Sequence, residues 1–337
     1  MTEQHDPGSF LKATLQRQPE ELTRLLVDDS AARAAARLKG CRRILLAGTG
    51  TSYHGALVGQ FMLRSAGVDA WAVRAFELAN YPPELRADDG LILLSHRGSK
   101  RFSAGALHLF TKSSSHWIAV TGEGSPMEGE GVVHTVEQEK SPVHTASHTA
   151  ALLRIAQIAA ALGRPEWEGQ LGELPAAVQR AVDMGDGVAA RVSETEFRPV
   201  THFVGGGPAR ATALEGALKL REATHLVSAE GHDVEGVLHG PLVSIQAGTP
   251  VVLIAQPGPS LERMREVEQA LREIGAVVTS FPTATDTAEL DEVLAPIVNV
   301  VPLQWLAYHV SRKLGVDADS FRRDEPKYAA AQSKFTL

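Results

Sequence analysis

From about residue 40 onward, short apolar runs alternate with stretches of helical period. Ile44–Ala47, Ala70–Val73, Leu91–Leu94, Trp117–Val120 and Val132–Val136 read as strands, with helices between them. Continuous apolar runs separated by helices are what a parallel sheet covered on both faces requires. An Ala- and Glu-rich stretch follows, and "RPVTHFVGGGPARATALEGALKLRE" then restarts the same order of apolar strand, glycine-rich turn and helix. Further strands are expected at Val251–Ala255 and Val277–Ser280, and a long helix at Val293–Leu314. Pairing "LLAGTGTSYHGAL" with "HFVGGGPARATAL" suggests two copies of one α/β unit.

The ends are different. "FLKATLQRQPEELTRLL" and "SAARAAARLKG" are two amphipathic helical patterns, with Pro19 near the start of a turn of helix. "DSFRRDEPKYAAAQSKFTL" has no period and reads as an extended tail. The expected division is a helical lead-in over 1–39, an α/β domain over 40–165, a helical linker over 166–197, a second α/β domain over 198–318 and a tail over 319–337. A chain of 337 residues can bury two such cores.

Composition narrows the ligand. A net charge of −7 with only short basic spots disfavours nucleic acid. The apolar stretches are too short or too interrupted to span a bilayer, and the first residues lack a signal peptide's apolar core, so a cytoplasmic protein is expected. Cys41, the single cysteine, excludes an intrachain disulfide and a multi-cysteine zinc site.

Two strand ends carry anion-binding chemistry. In "GTGTS", Gly48, Gly50 and Ser52 precede a helix, where small residues let the backbone approach a ligand and helix-start N–H groups favour a phosphate. The pattern is neither GxGxxG nor a Walker loop, which favours a small phosphate ester over a nucleotide. In "LLSHRGSKRFS", Ser95, Arg97, Ser99 and Lys100 gather at the carboxyl end of the next expected strand but one, the edge where open α/β sheets bind ligands. His144 and His148 have a spacing that can bind zinc from a helix, but no companion carboxylate completes a set, and no metal is expected. Thr145 and Ser147 read as hydroxyls near a polar site, with helix capping as the plainer alternative.

The helix "LEGALKLRE" is the most informative stretch. Glu215, Lys219 and Glu222 fall on one line of a helix whose other lines are apolar or small, Arg221 excepted. A surface helix would show a broad polar face. A narrow polar stripe on a core-like helix must be paired or must face a polar cavity, because isolated buried charge costs several kcal/mol. "AEGHDVEGVLHGP" then reads as a loop bearing Glu230, Glu235 and His239. A carboxylate, an ammonium and an imidazole near a phosphate pocket are the groups needed for proton transfer beside a carbonyl.

Together "LEGALKLRE", "AEGHDVEGVLHGP", "APIVNVVPLQWLAYHV" and "GTGTS" resemble the sugar isomerase (SIS) family, in particular the isomerase half of glucosamine-6-phosphate synthases, over about Leu11 to Lys334. The resemblance implies an α/β fold of two SIS domains, each a five-stranded parallel flavodoxin-like sheet flanked by helices. It also implies a homodimer in which His239 enters the neighbour's site. The family's phosphate loop falls on Gly50, Thr51 and Ser52, and its second loop, usually SQSGET, on Ser95–Lys100, where His96, Arg97, Ser99 and Lys100 depart from it. Thr145 matches the third binding segment, in which His148 replaces the usual aromatic. Glu222 corresponds to the base that moves a proton between C1 and C2, Lys219 to its charge partner and His239 to the ring-opening acid/base. Lys334 corresponds to a tail lysine that closes the site, and Glu215 and Glu235 support the others.

The resemblance implies a phosphosugar aldose/ketose isomerase needing no metal or organic cofactor, with deamination of glucosamine 6-phosphate to fructose 6-phosphate as the preferred example. The alternatives are a non-catalytic, sugar-phosphate-binding regulator and an aminating subunit that uses ammonia. A glutaminase with a nucleophilic cysteine at residue 1 after methionine removal is not expected, because residue 2 is Thr2 and Cys41 abuts a core strand.

Overall fold

The amphipathic pattern at the N-terminus forms a continuous helix, α1 (Ser9–Leu26), which runs through Pro19 and carries the buried residues Leu11, Leu15, Leu22 and Leu25 on one stripe. The structure, a computed structural model, describes residues 6–281 and 290–336. After the short α2 (Ser30–Ala35) come β1 (Arg43–Gly48), α3 (Thr51–Ser65), β2 (Ala70–Arg74), α4 (Ala75–Asn80), β3 (Asp89–Ser95) and α5 (Arg101–Phe110). Then follow β4 (Trp117–Thr121), β5 (Val132–His134), α6 (Ala146–Gly163) and α7 (Trp167–Val192). The later elements are β6 (Val200–Gly205), α8 (Ala209–Thr224), β7 (Ser228–Asp233), β8 (Pro250–Ile254), α9 (Leu261–Ile274), β9 (Val277–Phe281), α10 (Pro296–Lys313) and α11 (Pro326–Gln332).

The chain divides into two compact units. One is built on Gln18–Glu139, Ala146–Pro175 and the residues from Lys327. Its five strands are all parallel, in the order β2-β1-β3-β4-β5, a flavodoxin-like order. Leu45, Ala47, Leu91 and Leu93 pack with Ala106 and Phe110 on one face, while Ile44, Leu46, Ile92 and Leu94 are buried on the other. Burial on both faces explains the unbroken apolar runs, and each such Leu or Ile contributes roughly 1.5–3 kcal/mol. Arg154 is buried within α6, its guanidinium donating to the carbonyls of Leu25, Asp28 and His134 and to the Asp28 carboxylate.

The other unit takes the described residues through Arg17, with Lys140–Thr145 and Ala176–Pro326. Its sheet is also parallel, in the order β7-β6-β8-β9. Val204, Val251, Leu253, Met264, Val267 and Leu271 form a core between this sheet and α9. The five strands expected here are four among the described residues, and residues 282–289 lie outside that description.

Two further expectations need correcting. Ser228–Asp233, read as loop, is the edge strand β7. Its sequence, SAEGHD, lacks the apolar and β-branched residues that mark a strand, and it becomes one through backbone pairing with β6. The tail read as extended contains α11, which opens on Pro326 at a position where a missing N–H costs nothing. Among the described residues, no helix is long and apolar enough to cross a membrane.

Candidate functional site

At the carboxyl edge of the five-stranded sheet, two adjacent strands deliver the predicted anion loops. β1 and β3 are register neighbours, so the turns after Gly48 and Ser95 leave the sheet side by side. A Cβ on Gly48 would lie 2.4 Å from the Ser52 backbone, so only glycine lets α3 start this close to the strand. Gly50 takes φ +57° and sets Thr51 and Ser52, both half-buried, in the first turn of α3. Those N–H groups carry the positive end of the helix dipole.

The second loop is held by its own backbone. Gly98 N–H donates to Ser95 O at 3.0 Å, Thr121 Oγ1 donates to the same carbonyl at 2.7 Å, and Gly98 takes φ +69° where a Cβ would meet Ser125 Oγ. Ser95 Oγ is buried and has no hydrogen-bond partner among the described residues. A buried hydroxyl left this way costs about 1–3 kcal/mol unless something supplies a partner. The His96 ring lies against Gly122 and its Nε2 accepts the Glu139 N–H at 3.3 Å, which gives it a role inside the loop. Arg97 and Ser99 are exposed, and Lys100 precedes α5, half-buried.

The acid/base groups lie in the other unit. Gly205 ends β6 as Gly48 ends β1: a Cβ there would stand 2.2 Å from Ala209 O, and Gly207 takes φ +55°. α8 begins at this turn and packs close to its neighbours through Gly216, where a Cβ would lie 2.8 Å from Leu303 Cδ1 of α10 and 3.0 Å from Phe203 Cδ1 of β6. The polar stripe is thereby buried. Lys219 Nζ donates to Glu222 Oε2 at 2.6 Å and lies 3.4 Å from Glu215 Oε1. Glu215 and Lys219 are sealed from solvent, whereas the Glu222 side chain is 20% exposed. The stripe thus has a closed end that fixes the ammonium and an open end that presents a carboxylate.

Residues 37–162 match the sequence profile of the SIS domain, a match spanning β1 to β5. That segment is an SIS domain. The chain is 29% identical to the glutamine–fructose-6-phosphate aminotransferase [isomerizing] of Methanothermobacter thermautotrophicus, over 95% of its own length and 57% of the relative's. It spans about half the length of the curated relatives it matches. Among solved structures it resembles the C-terminal domain of the glucosamine-fructose-6-phosphate aminotransferase of Francisella tularensis, with a TM-score of 0.81 and 20% identity over 92% of this chain and 98% of that one. Glucosamine-6-phosphate deaminase from Thermotoga maritima superposes with a TM-score of 0.78 and 22% identity over 92% and 97%. At these identities the structural likeness is one of fold.

The remaining predicted residues lie outside the SIS match, except Thr145. Its hydroxyl is fully buried and donates to Thr14 Oγ1 at 2.9 Å, a partner from α1 that no sequence spacing signals. His239 is 79% exposed in the turn after β7, with Nε2 3.7 Å from Glu235 Oε2. Glu235 is anchored by Arg263 of α9, whose Nε donates to Oε1 at 2.6 Å and holds the carboxyl below its ordinary range. Arg263 is 28 residues from Glu235 in sequence and was not foreseen. Lys334 is exposed just beyond α11.

Proposed function

We propose that the chain is a cytoplasmic phosphosugar aldose/ketose isomerase of amino-sugar metabolism that converts glucosamine 6-phosphate to fructose 6-phosphate and ammonia. The observation that carries the reading is the buried Glu215–Lys219–Glu222 stripe with its single solvent-reaching carboxylate. The names of the relatives agree with it: one is an isomerizing aminotransferase acting on fructose 6-phosphate, and one solved neighbour is a glucosamine-6-phosphate deaminase.

In this proposal Thr51, Ser52 and Ser95 hold the phosphate through hydroxyls and the α3 N-terminus, with the cations of Arg97 and Lys100 assisting, and Thr145 joins them by turning its hydroxyl away from Thr14 Oγ1. His239 opens the sugar ring. Glu222 takes the proton from C2 of the open-chain amino sugar, giving an enolamine stabilised by the Lys219 ammonium. The same carboxyl returns the proton to C1, and water attacks the resulting C2 imine to expel ammonia. Every atom in this balance comes from the sugar and one water.

The exposure of His239 favours its entry into a second copy's site, and Lys334 would close over the open-chain sugar. The matching geometry of Gly48 with Gly50 and of Gly205 with Gly207 supports two SIS-type domains, at 40–165 and 198–318. The repeat would be one of shape: Ala209 stands where Ser52 stands in the first copy, so only the first retains the phosphate-binding hydroxyl. Incubation with glucosamine 6-phosphate tests the reading. Enzyme-dependent ammonia and fructose 6-phosphate support it, and binding of the sugar without turnover contradicts it.

A further inference from the structure

β6 and β7 bring together three metal-ligating side chains that the proposed chemistry does not use. His202 of β6 is the register partner of Glu230 of β7, and Val204 is the register partner of His232. Side chains alternate across a strand, so Glu230 and His232 share one face while Gly231 faces the other. Gly231 fixes which face is which, because a Cβ there would stand 2.7 Å from Leu214 Cα of α8. Glu230, His232 and His202 therefore lie on the opposite face, the one where Val204 packs toward α9.

His202 Nδ1 lies 3.1 Å from His232 Nε2, and Glu230 Oε2 lies 3.8 Å from the first and 3.5 Å from the second. Metal–ligand bonds of about 2.0–2.2 Å at a tetrahedral centre separate neighbouring donor atoms by roughly 3.3 Å. The three edges bracket that value. The two rings are tilted by 33° with centroids 5.3 Å apart, and one nitrogen of each lies within 4.8 Å of the Glu230 carboxylate. His202 is buried and the His232 side chain is 13% exposed, while Glu230 is 54% exposed and leaves one side of the triangle open to solvent. Burial pushes both imidazoles below their ordinary range, which favours the neutral form a cation needs.

We propose that His202 Nδ1, His232 Nε2 and Glu230 Oε2 form a binding site for a zinc-class divalent cation, with a solvent molecule completing its coordination. Two imidazoles and one carboxylate are a donor set suited to zinc. The site was hidden from sequence spacing because its two histidines are 30 residues apart and meet only when β7 pairs with β6. It pins the edge strand β7 to its neighbour, so cation binding should order the segment leading to His239.

The test is calorimetric titration of the untagged, chelator-treated full-length protein with Zn2+, alongside His232→Ala and Glu230→Gln. Both changes fall on the edge strand, and circular dichroism checks that each variant is folded. The expected result is a single tight Zn2+ per chain, weakened in each variant by more than the about 10–100-fold that loss of an outer-shell partner costs. In the wild type, the imidazole 15N resonances of His202 and His232 should both move on Zn2+ addition, a readout that needs no substitution. Absence of Zn2+ uptake, or movement of neither resonance on uptake, overturns the proposal.

Discussion

Lys219 Nζ is hydrogen-bonded to Glu222 Oε2 at 2.6 Å while Glu215 Oε1 lies 3.4 Å away on its other side, one ammonium between two carboxylates of a single helix. This arrangement resolves the contradiction in the sequence, where charges occupy a helix otherwise fit for a core. The ammonium compensates the closed end of the stripe and orients the open end, so removing it should damage both stability and catalysis.

Lys219→Met should therefore take the facing ammonium away from the buried Glu215 carboxylate and destabilise the fold by roughly 3–5 kcal/mol. The added change Glu215→Gln should restore much of that loss without restoring activity. Urea denaturation followed by circular dichroism, with a turnover assay on the same samples, separates the two effects.

Ser95→Ala removes a hydroxyl that has no hydrogen-bond partner among the described residues. A structural hydroxyl would cost stability when deleted, but this one should not. Thermal denaturation should show a midpoint equal to or above the parent's, while calorimetry should show weaker binding of glucosamine 6-phosphate.

Gly205→Ala forces a methyl to within 2.2 Å of the Ala209 carbonyl, and neither backbone segment can yield cheaply. The turn that aims α8 would have to open. We expect a loss of several kcal/mol in stability, in line with overpacking at a rigid backbone contact, and displaced amide resonances along α8 in heteronuclear NMR.

Acid should act through Asp89, whose buried carboxylate meets Arg42 Nε at 2.9 Å, Arg43 Nε at 3.0 Å and the Arg86 N–H at 2.8 Å. Burial alone would raise its pKa, but the hydrogen bonds and charges of these partners outweigh it and hold the group below its ordinary range. A depressed carboxyl stabilises the fold above its unfolded pKa and loses that contribution as pH falls through the folded value. Asp89→Asn should thus be less stable than the parent at neutral pH. Its stability should also fall less steeply below about pH 4, the unfolded carboxyl value, as urea midpoints measured across pH will show.

Much of the fold was legible because burial on both faces writes itself into a strand. Ile44–Ala47 and Leu91–Leu94 could hardly be anything else, and the glycines at 48 and 205 marked the turns. β7 was not legible, since an edge strand with Ser, Gly, His and Asp owes its form to β6 rather than to its own residues. Within the candidate site, the stripe on α8 showed in the spacing of three residues. The partners Thr14 and Arg263 did not, because they reach Thr145 and Glu235 from distant segments that no local period connects. The His96 ring also turns back onto Gly122, a packing that its place in a loop of hydroxyls and cations gave no reason to expect.

The central claim is that Glu222 moves a proton between C2 and C1 of an open-chain amino sugar phosphate. Proton NMR of glucosamine 6-phosphate incubated with the protein in deuterated water measures this directly. Wild-type protein should form fructose 6-phosphate with deuterium at C1 to the extent that Glu222 exchanges its proton with solvent, and should exchange C2 of the recovered substrate. Glu222→Gln, folded and still binding the sugar, should do neither. Unaltered exchange and product formation in Glu222→Gln, or no turnover by the wild type, would contradict the account.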